Sequence, residues 1–104
     1  MATGTLGQAD LAATTNTTVY TVPVSKIGTV SINICNRSAT NPVMVRLAVA
    51  ASGTPANAEW VEYDAIIAPN SVLERTGIVM SASKNVVAYS SAANVSVNVY
   101  GYEA

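Results

Sequence analysis

Carboxylates are the side chains of this sequence that most suggest chemistry, and four of them lie within a short stretch. Glu59, Glu62 and Asp64 are close together, and Glu74 follows on the next predicted strand. Two carboxylates at a suitable separation can hydrolyse a glycoside, and carboxylates with backbone carbonyls can bind Ca²⁺. The simpler interpretation is an ion-pair face, because Glu62 and Asp64 share the polar face of their predicted strand, and Glu74 and Arg75 suit cross-strand pairing.

The other residue types remove most further kinds of active site. The sequence contains no histidine, which excludes Ser-His-Asp and Cys-His catalysis and the commonest transition-metal ligand. The single cysteine, Cys35, is predicted to be a small buried or edge residue and cannot supply a zinc site alone. No phosphate-binding loop motif occurs, and the scattered basic residues disfavour nucleic-acid binding. We predict a protein that is not an enzyme and has no catalytic residue, metal site or cofactor.

The composition indicates one small domain whose surface is poor in charge. Of the 104 residues, 50% are hydrophobic and only 11% are charged, and the formal net charge is −1. An ordinary soluble domain has roughly 25% charged residues. Copies of such a chain repel one another little, which is typical of a subunit buried in an assembly; the alternative is a monomer covered by Ser, Thr and Asn. The alternation of apolar and polar residues predicts no membrane segment, and we expect no secretory signal.

Two runs of alternating apolar residues, at 28–37 and 41–51, predict the strands around which the fold is organised. A short polar connection closed by Pro42 predicts that these strands pair as an antiparallel hairpin. A third clean run ends the sequence. The inward residues of the three runs, which we predict to form one core, are Val30, Ile32, Ile34, Val45, Leu47, Val97 and Val99.

The remaining predicted strands are shorter or less regular. Within residues 59–67, the apolar set of Val61, Tyr63, Ala65 and Ile67 is predicted to face the core, which leaves Trp60 on the polar face or at the strand's end. In residues 72–80 the apolar positions change parity, and a bulge near Gly77 would reconcile them. Seven or eight short strands predict an all-β, single-domain antiparallel β-sandwich of the jelly-roll or Ig-like type. Residues 1–16 are expected to be an N-terminal arm or edge strand, and residues 17–104 the sandwich domain.

Four segments carry a resemblance to a known group of proteins. They are YTVP at residues 20–23, CNRS at 35–38, LERTGI at 73–78 and SSAANVSVNVYG at 90–101. Through them the chain resembles the small virion structural proteins of tailed bacteriophages, including those of cyanophages. The resemblance covers nearly the whole length, and its motifs specify strands and turns. It implies a β-sandwich module that oligomerises and attaches to a head, neck, tail or fibre.

The resemblance leaves two classes of function open. One is a non-catalytic capsid decoration, neck or tail component that is made in the host cytoplasm. It is expected to form homo-oligomers, by analogy trimers, and to bind other virion proteins but neither nucleic acid nor membrane. The other is a fibre-tip adhesin that binds a host glycan through exposed aromatic residues. Aromatic residues in loops at one end would favour the adhesin, whereas aromatic residues and Met on a flat sheet would favour subunit contacts. The candidate interface residues are Leu6, Leu11, Met44, Arg46, Trp60, Glu62, Arg75, Tyr100 and Tyr102.

Overall fold

Eight β-strands and one 3₁₀ turn make up the regular structure of residues 2–104, the part of the chain that the computed structural model describes. The turn, Asn57–Glu59, precedes the fifth strand. The strands are β1 (Thr3–Leu11), β2 (Thr17–Thr21), β3 (Gly28–Asn36), β4 (Val43–Ala50), β5 (Trp60–Ile67), β6 (Val72–Met80), β7 (Asn85–Ser90) and β8 (Val95–Glu103). Within these residues no helix has the length and apolar character needed to span a lipid bilayer.

The strands form two antiparallel sheets of four, in the orders β1-β8-β3-β6 and β2-β7-β4-β5. The predicted all-β sandwich is therefore confirmed. The interleaved order, with β1 beside β8 and β2 beside β7, is that of an eight-stranded jelly roll and differs from the Ig arrangement. Among the strands consecutive along the chain, only β4 and β5 are neighbours in one sheet, so the other connections pass from one sheet to the other.

The predicted hairpin of β3 and β4 is wrong, because these strands lie in opposite sheets. Each has one apolar face, and placing the strands in facing sheets buries both faces against each other. The connection is stabilised by Asn36, which is buried at the end of β3. Its side-chain amide donates hydrogen bonds to the backbone oxygens of Asn41 and Ile67, at 2.9 and 3.1 Å. Alternation thus indicates which face is buried but not which strand lies beside it.

The core between the sheets contains the predicted residues. Val30, Ile32, Ile34, Val45, Leu47, Val97 and Val99 are all at most 1% exposed and belong to one cluster. Tyr20 also belongs to this cluster, and its Oη donates a buried hydrogen bond to Glu103 Oε2 at 2.6 Å. Burial, and then the hydrogen bond to Glu103, raise the pKa of Tyr20. This hydrogen bond satisfies two polar groups that would be costly to bury unpaired.

The edge strands carry bulges. Register shifts occur at Leu6 in β1, at Val19 in β2 and at residues 76–77 in β6, whereas the central pairs β3–β8 and β4–β7 run without a shift. The bulge predicted near Gly77 is confirmed, and this glycine has a φ of +68°. The apolar side chains that face the core are Leu73 before the bulge and Ile78 and Met80 after it. The change of apolar parity along β6 therefore has a structural cause.

Strand β5 departs most from its prediction. Register shifts against β4 occur at Val61 and at residues 63–64. As a result Val61 and Tyr63, both predicted to face the core, are exposed, while Ala65 and Ile67 pack inward as predicted. Trp60 is the first residue of the strand and lies on its outer face.

The N-terminal segment lies along the sandwich as an edge strand. β1 pairs with β8 from Thr3 to Leu11. Leu11 belongs to the core and Leu6 packs against it while partly buried. Gly7 lies so close to the backbone of Val19 in β2 that a side chain there would collide with it. Residues 3–11 are therefore part of the folded domain.

Candidate functional site

The acidic residues around β5 do not converge on one point. Glu59 accepts hydrogen bonds from the backbone N–H groups of Ala56 and Ala51, at 2.8 and 2.9 Å, and these bonds lower its pKa. Glu59 thereby closes the loop between β4 and β5. Among residues 2–104 there is no group of three or more His, Cys, Asp or Glu residues that could hold a metal ion.

Glu62 and Arg75 form an ion pair across the open side of the sandwich, between edge strands β5 and β6. Their register partners are the core residues Leu47 and Ile32, so both side chains lie on the inward side of their sheets. The prediction that Glu62 shares a face with Asp64 is therefore wrong, because the bulge between them separates their directions. Arg75 pairs with Glu62 rather than with Glu74.

The outer face of the β2-β7-β4-β5 sheet holds most of the exposed aromatic and apolar side chains of that sheet. The strand register places Tyr89 of β7 and the bulged residues Tyr63 and Asp64 of β5 on either side of Arg46 in β4, and Met44 of β4 opposite Ile66 of β5. We call this surface the aromatic face. It consists of Met44, Arg46, Trp60, Tyr63, Asp64, Ile66 and Tyr89.

Arg46 lies at the centre of the aromatic face. Its guanidinium carbon is 4.2 Å from the ring centroid of Tyr63 and 4.5 Å from that of Tyr89. Its Nε donates to Asp64 Oδ1 at 2.7 Å. This hydrogen bond is the main cause of the raised pKa of Arg46. A planar cation held between two rings and fixed by a carboxylate is a rigid group on an otherwise flat sheet.

The bulge in β5 creates this arrangement. Asp64 has a φ of +54°, in the left-handed region, and the register shift there leaves two residues of β5 opposite one of β4. Tyr63 and Asp64 consequently contact the same arginine although they are adjacent in sequence. In a regular strand their side chains would have pointed to opposite faces.

Two apolar groups flank the arginine on either side. Trp60 covers the small residues Ala48, Ala50 and Val87 on the outer side of the sheet, and its ring meets that of Tyr63 edge-on at 5.4 Å. On the other side, Met44 is paired with Ile66. These last two residues line a depression of about 220 Å³ together with Pro42, Val43 and Ser91.

The outer face of the β1-β8-β3-β6 sheet, here the polar face, is built differently. Gln8 donates to Asn98 at 2.7 Å, and Tyr100 Oη donates to Glu74 at 3.1 Å. The second bond is the main cause of the raised pKa of Tyr100. Cys35 is half-buried on the side of β3 opposite its core residues. Polar groups of this face are thus paired with one another in two places, and the exposed side chains of Val72, Val79 and Tyr102 lie on the same face.

The nine predicted interface residues are distributed over several surfaces. Met44, Arg46 and Trp60 lie together on the aromatic face, and Tyr100 and Tyr102 are exposed on the polar face. Glu62 and Arg75 pair at the open side of the sandwich, while the N-terminal Leu6 and Leu11 are at or in the core. Leu11, at 2% exposure, is therefore unavailable for surface contacts.

Sequence reasoning missed four residues of the aromatic face. The alternation predicts Tyr63 inside and Asp64 only as an acidic residue of the polar face, and it predicts no interface role for Tyr89 or Ile66. A signal for the bulge was present, since Asp is one of the few non-glycine residues that readily adopt positive φ. No family model, no curated protein and no solved structure matches this chain.

Proposed function

We propose that this chain is a non-catalytic structural protein of a phage particle, which forms homo-oligomers and bridges or stabilises other virion proteins. The observation that carries the proposal is the aromatic face. It presents an arginine, aromatic rings, a methionine and an isoleucine on one sheet, and aromatic residues, Met and Arg are the types enriched in protein interfaces. The phage setting comes from the resemblance of the four sequence segments.

The position of the aromatic residues supports subunit contacts over glycan binding. Trp60, Tyr63, Tyr89, Tyr100 and Tyr102 all lie within strands β5, β7 and β8. None of these five is in a loop at an end of the sandwich, where an adhesin of this kind would gather them. A flat surface of strand residues is suited to another protein surface of similar shape.

The bulges in the edge strands also support assembly through the faces of the two sheets rather than through their edges. An unbulged edge strand offers a row of free backbone groups to which another chain can add a strand, and bulges are one way in which proteins block this. Each of the four edge strands, β1, β2, β5 and β6, contains a bulge. Assembly through the sheet faces avoids these irregular edges.

The test is to locate the chain in particles of the phage that encodes it. Purified particles carrying either the natural chain or the Ile66→Glu variant are compared by quantitative mass spectrometry, and the protein is placed by cryo-EM. We expect the natural chain at a fixed place and copy number, and the variant at reduced occupancy. Particles that lack the protein would refute the proposal. Full occupancy by Ile66→Glu with impaired adsorption to host cells would instead support the adhesin.

A further inference from the structure

The ion pair at the centre of the aromatic face has unused hydrogen-bonding capacity. Among residues 2–104, the hydrogen bond of the Arg46 side chain is made by Nε alone, to Oδ1 of Asp64. A guanidinium has five N–H donors and a carboxylate accepts at both oxygens. The two Nη groups and Oδ2 of Asp64 can therefore bond to another molecule. Because two rings and a carboxylate already hold the arginine, its ordering costs little further entropy.

The unused donors and acceptor lie side by side and their charges cancel. A surface of this kind is complementary to itself, since a second copy turned by a two-fold rotation offers its carboxylate to the arginine and its arginine to the carboxylate. We propose that the aromatic face is a two-fold interface between two copies of this chain, with Arg46 of each copy bonded to the partner subunit's Asp64. This deepens the proposed function, on which it rests, by naming the surface through which the chain forms homo-oligomers.

The residues around the ion pair suit such an interface. Met44, Tyr63 and Ile66 are 45, 57 and 73% exposed, and they would be withdrawn from water when two faces meet. A standard interface covers about 800 Å² of each partner, which is roughly 15% of the 5203 Å² surface of this chain. Arginine and aromatic residues at the centre of an interface are the types enriched where a few residues dominate binding.

The polar face is the less suitable surface for the same role. It also exposes the side chains of Val72, Val79 and Tyr102, but its Tyr100 already donates to Glu74 of the same chain and its Gln8 to Asn98. A two-fold aromatic interface gives a closed dimer, whereas the trimer expected from the resemblance would need two different surfaces on each subunit. The self-complementary pair therefore favours the dimer.

The experiment uses two single variants of the purified full chain, Arg46→Asp and Asp64→Arg. The first has two carboxylates on the aromatic face and the second has two guanidinium groups, so neither is complementary to itself. The two variants are complementary to each other. Sedimentation velocity and native mass spectrometry are run on the natural chain, on each variant and on an equimolar mixture.

We expect the natural chain to sediment at twice its 10.7 kDa mass. Each single variant should dimerise about thirty-fold more weakly or worse, and the mixture should form a one-to-one dimer. The matched control exchanges the exposed pair of Arg37 and Asp10, joined at 2.6 Å away from the aromatic face, and should leave the dimer unchanged. Circular dichroism and thermal unfolding establish that each variant is folded. If either charge variant fails to fold, Ile66→Glu tests the same surface at a position that is 73% exposed.

The proposal is overturned by a natural chain that remains a monomer at high micromolar concentration, or by single variants that dimerise as strongly as the natural chain. It is also overturned if the mixture of two monomeric variants yields no heterodimer. These results leave the proposed role in the phage particle standing if the chain is still found in particles, where a different virion protein would then cover the aromatic face. Absence from particles together with a confirmed dimer would refute the proposed function alone.

Discussion

The central and edge strands of this sandwich differ in regularity. In β3 every second residue is buried along the whole strand, whereas β1 and β5 show broken patterns of burial. Register shifts fall on the edge strands, while the central pairs β3–β8 and β4–β7 have none. The central strands thus supply a continuous core. The edge strands supply irregular features, among them the Asp64 bulge that assembles the aromatic face.

The largest expected effect comes from shortening a core residue of a central strand. Ile34→Ala removes buried methyl groups from β3 and leaves a cavity, which should lower the free energy of unfolding by about 2 to 5 kcal/mol. The matched control is Val79→Ala on the exposed side of edge strand β6, away from the aromatic face, which should change it by less than about 0.5 kcal/mol. Chemical denaturation of both variants measures the two free energies of unfolding. Similar decreases in both would contradict the view that the central strands supply the core.

The next largest effect is expected at the end of a central strand. Asn36→Ala removes hydrogen bonds to Asn41 and Ile67, in the connection between the sheets and at the end of β5. Removing this donor from the buried carbonyl oxygen of Ile67 and the partly buried one of Asn41 should cost about 1 to 3 kcal/mol. Asn98→Ala, which removes an exposed hydrogen bond to Gln8, is the matched control. Equal melting temperatures for the two variants would show that the Asn36 network contributes little.

A smaller effect is expected from the bulge in edge strand β6. Gly77 has a φ of +68°, and a Cβ added there would meet no other atom within 4 Å. Gly77→Ala should therefore cost only the backbone strain of a left-handed residue, about 1 to 2 kcal/mol. Gly53→Ala, whose backbone lies outside that region, should be neutral or slightly stabilising. If urea denaturation gives Gly77→Ala the same free energy of unfolding as the natural chain, the bulge changes conformation to accept the new side chain.

The smallest effect concerns the loop that joins central strand β4 to edge strand β5. Hydrogen bonds from Ala56 and Ala51 lower the pKa of Glu59 in the folded chain, so its carboxylate stabilises the fold above the unfolded pKa of about 4.3. This contribution is lost as the pH falls through the lower folded pKa. The stability advantage of the natural chain over Glu59→Gln should be constant near pH 7 and shrink from about pH 5 downwards. A pH-independent difference in urea denaturation would contradict this role.

The sequence predicted the faces of the central strands well because those strands have neighbours on both sides and one buried face. Ile32 and Leu47 were placed correctly by alternation alone. Alternation carries no information about the neighbour, so the pairing of β3 with β8 and β6 rather than β4 was not predicted. Strand pairing is decided by how all eight strands share one core.

The aromatic face could be predicted only in part, since its members come together through strand register. Arg46 and Trp60 were proposed as interface residues, but the rings that hold the arginine come from two other strands. Tyr89 lies opposite Arg46 because β7 pairs with β4, and Tyr63 reaches it because of a bulge. A bulge depends on the partner strand, and the tolerance of Asp64 for positive φ permits a bulge in residues 59–67 without requiring one.

The pairing of β1 with β8 has a consequence for how the chain folds. Gln8 and Asn98 are hydrogen-bonded although 90 residues separate them, so the first strand can take its place only after the last strand has been synthesised. Long-range pairing of this kind slows folding to milliseconds or seconds in small β-proteins. During translation β1 therefore waits as an unpaired segment, and any aid that shields it from other nascent chains should raise the yield of folded protein.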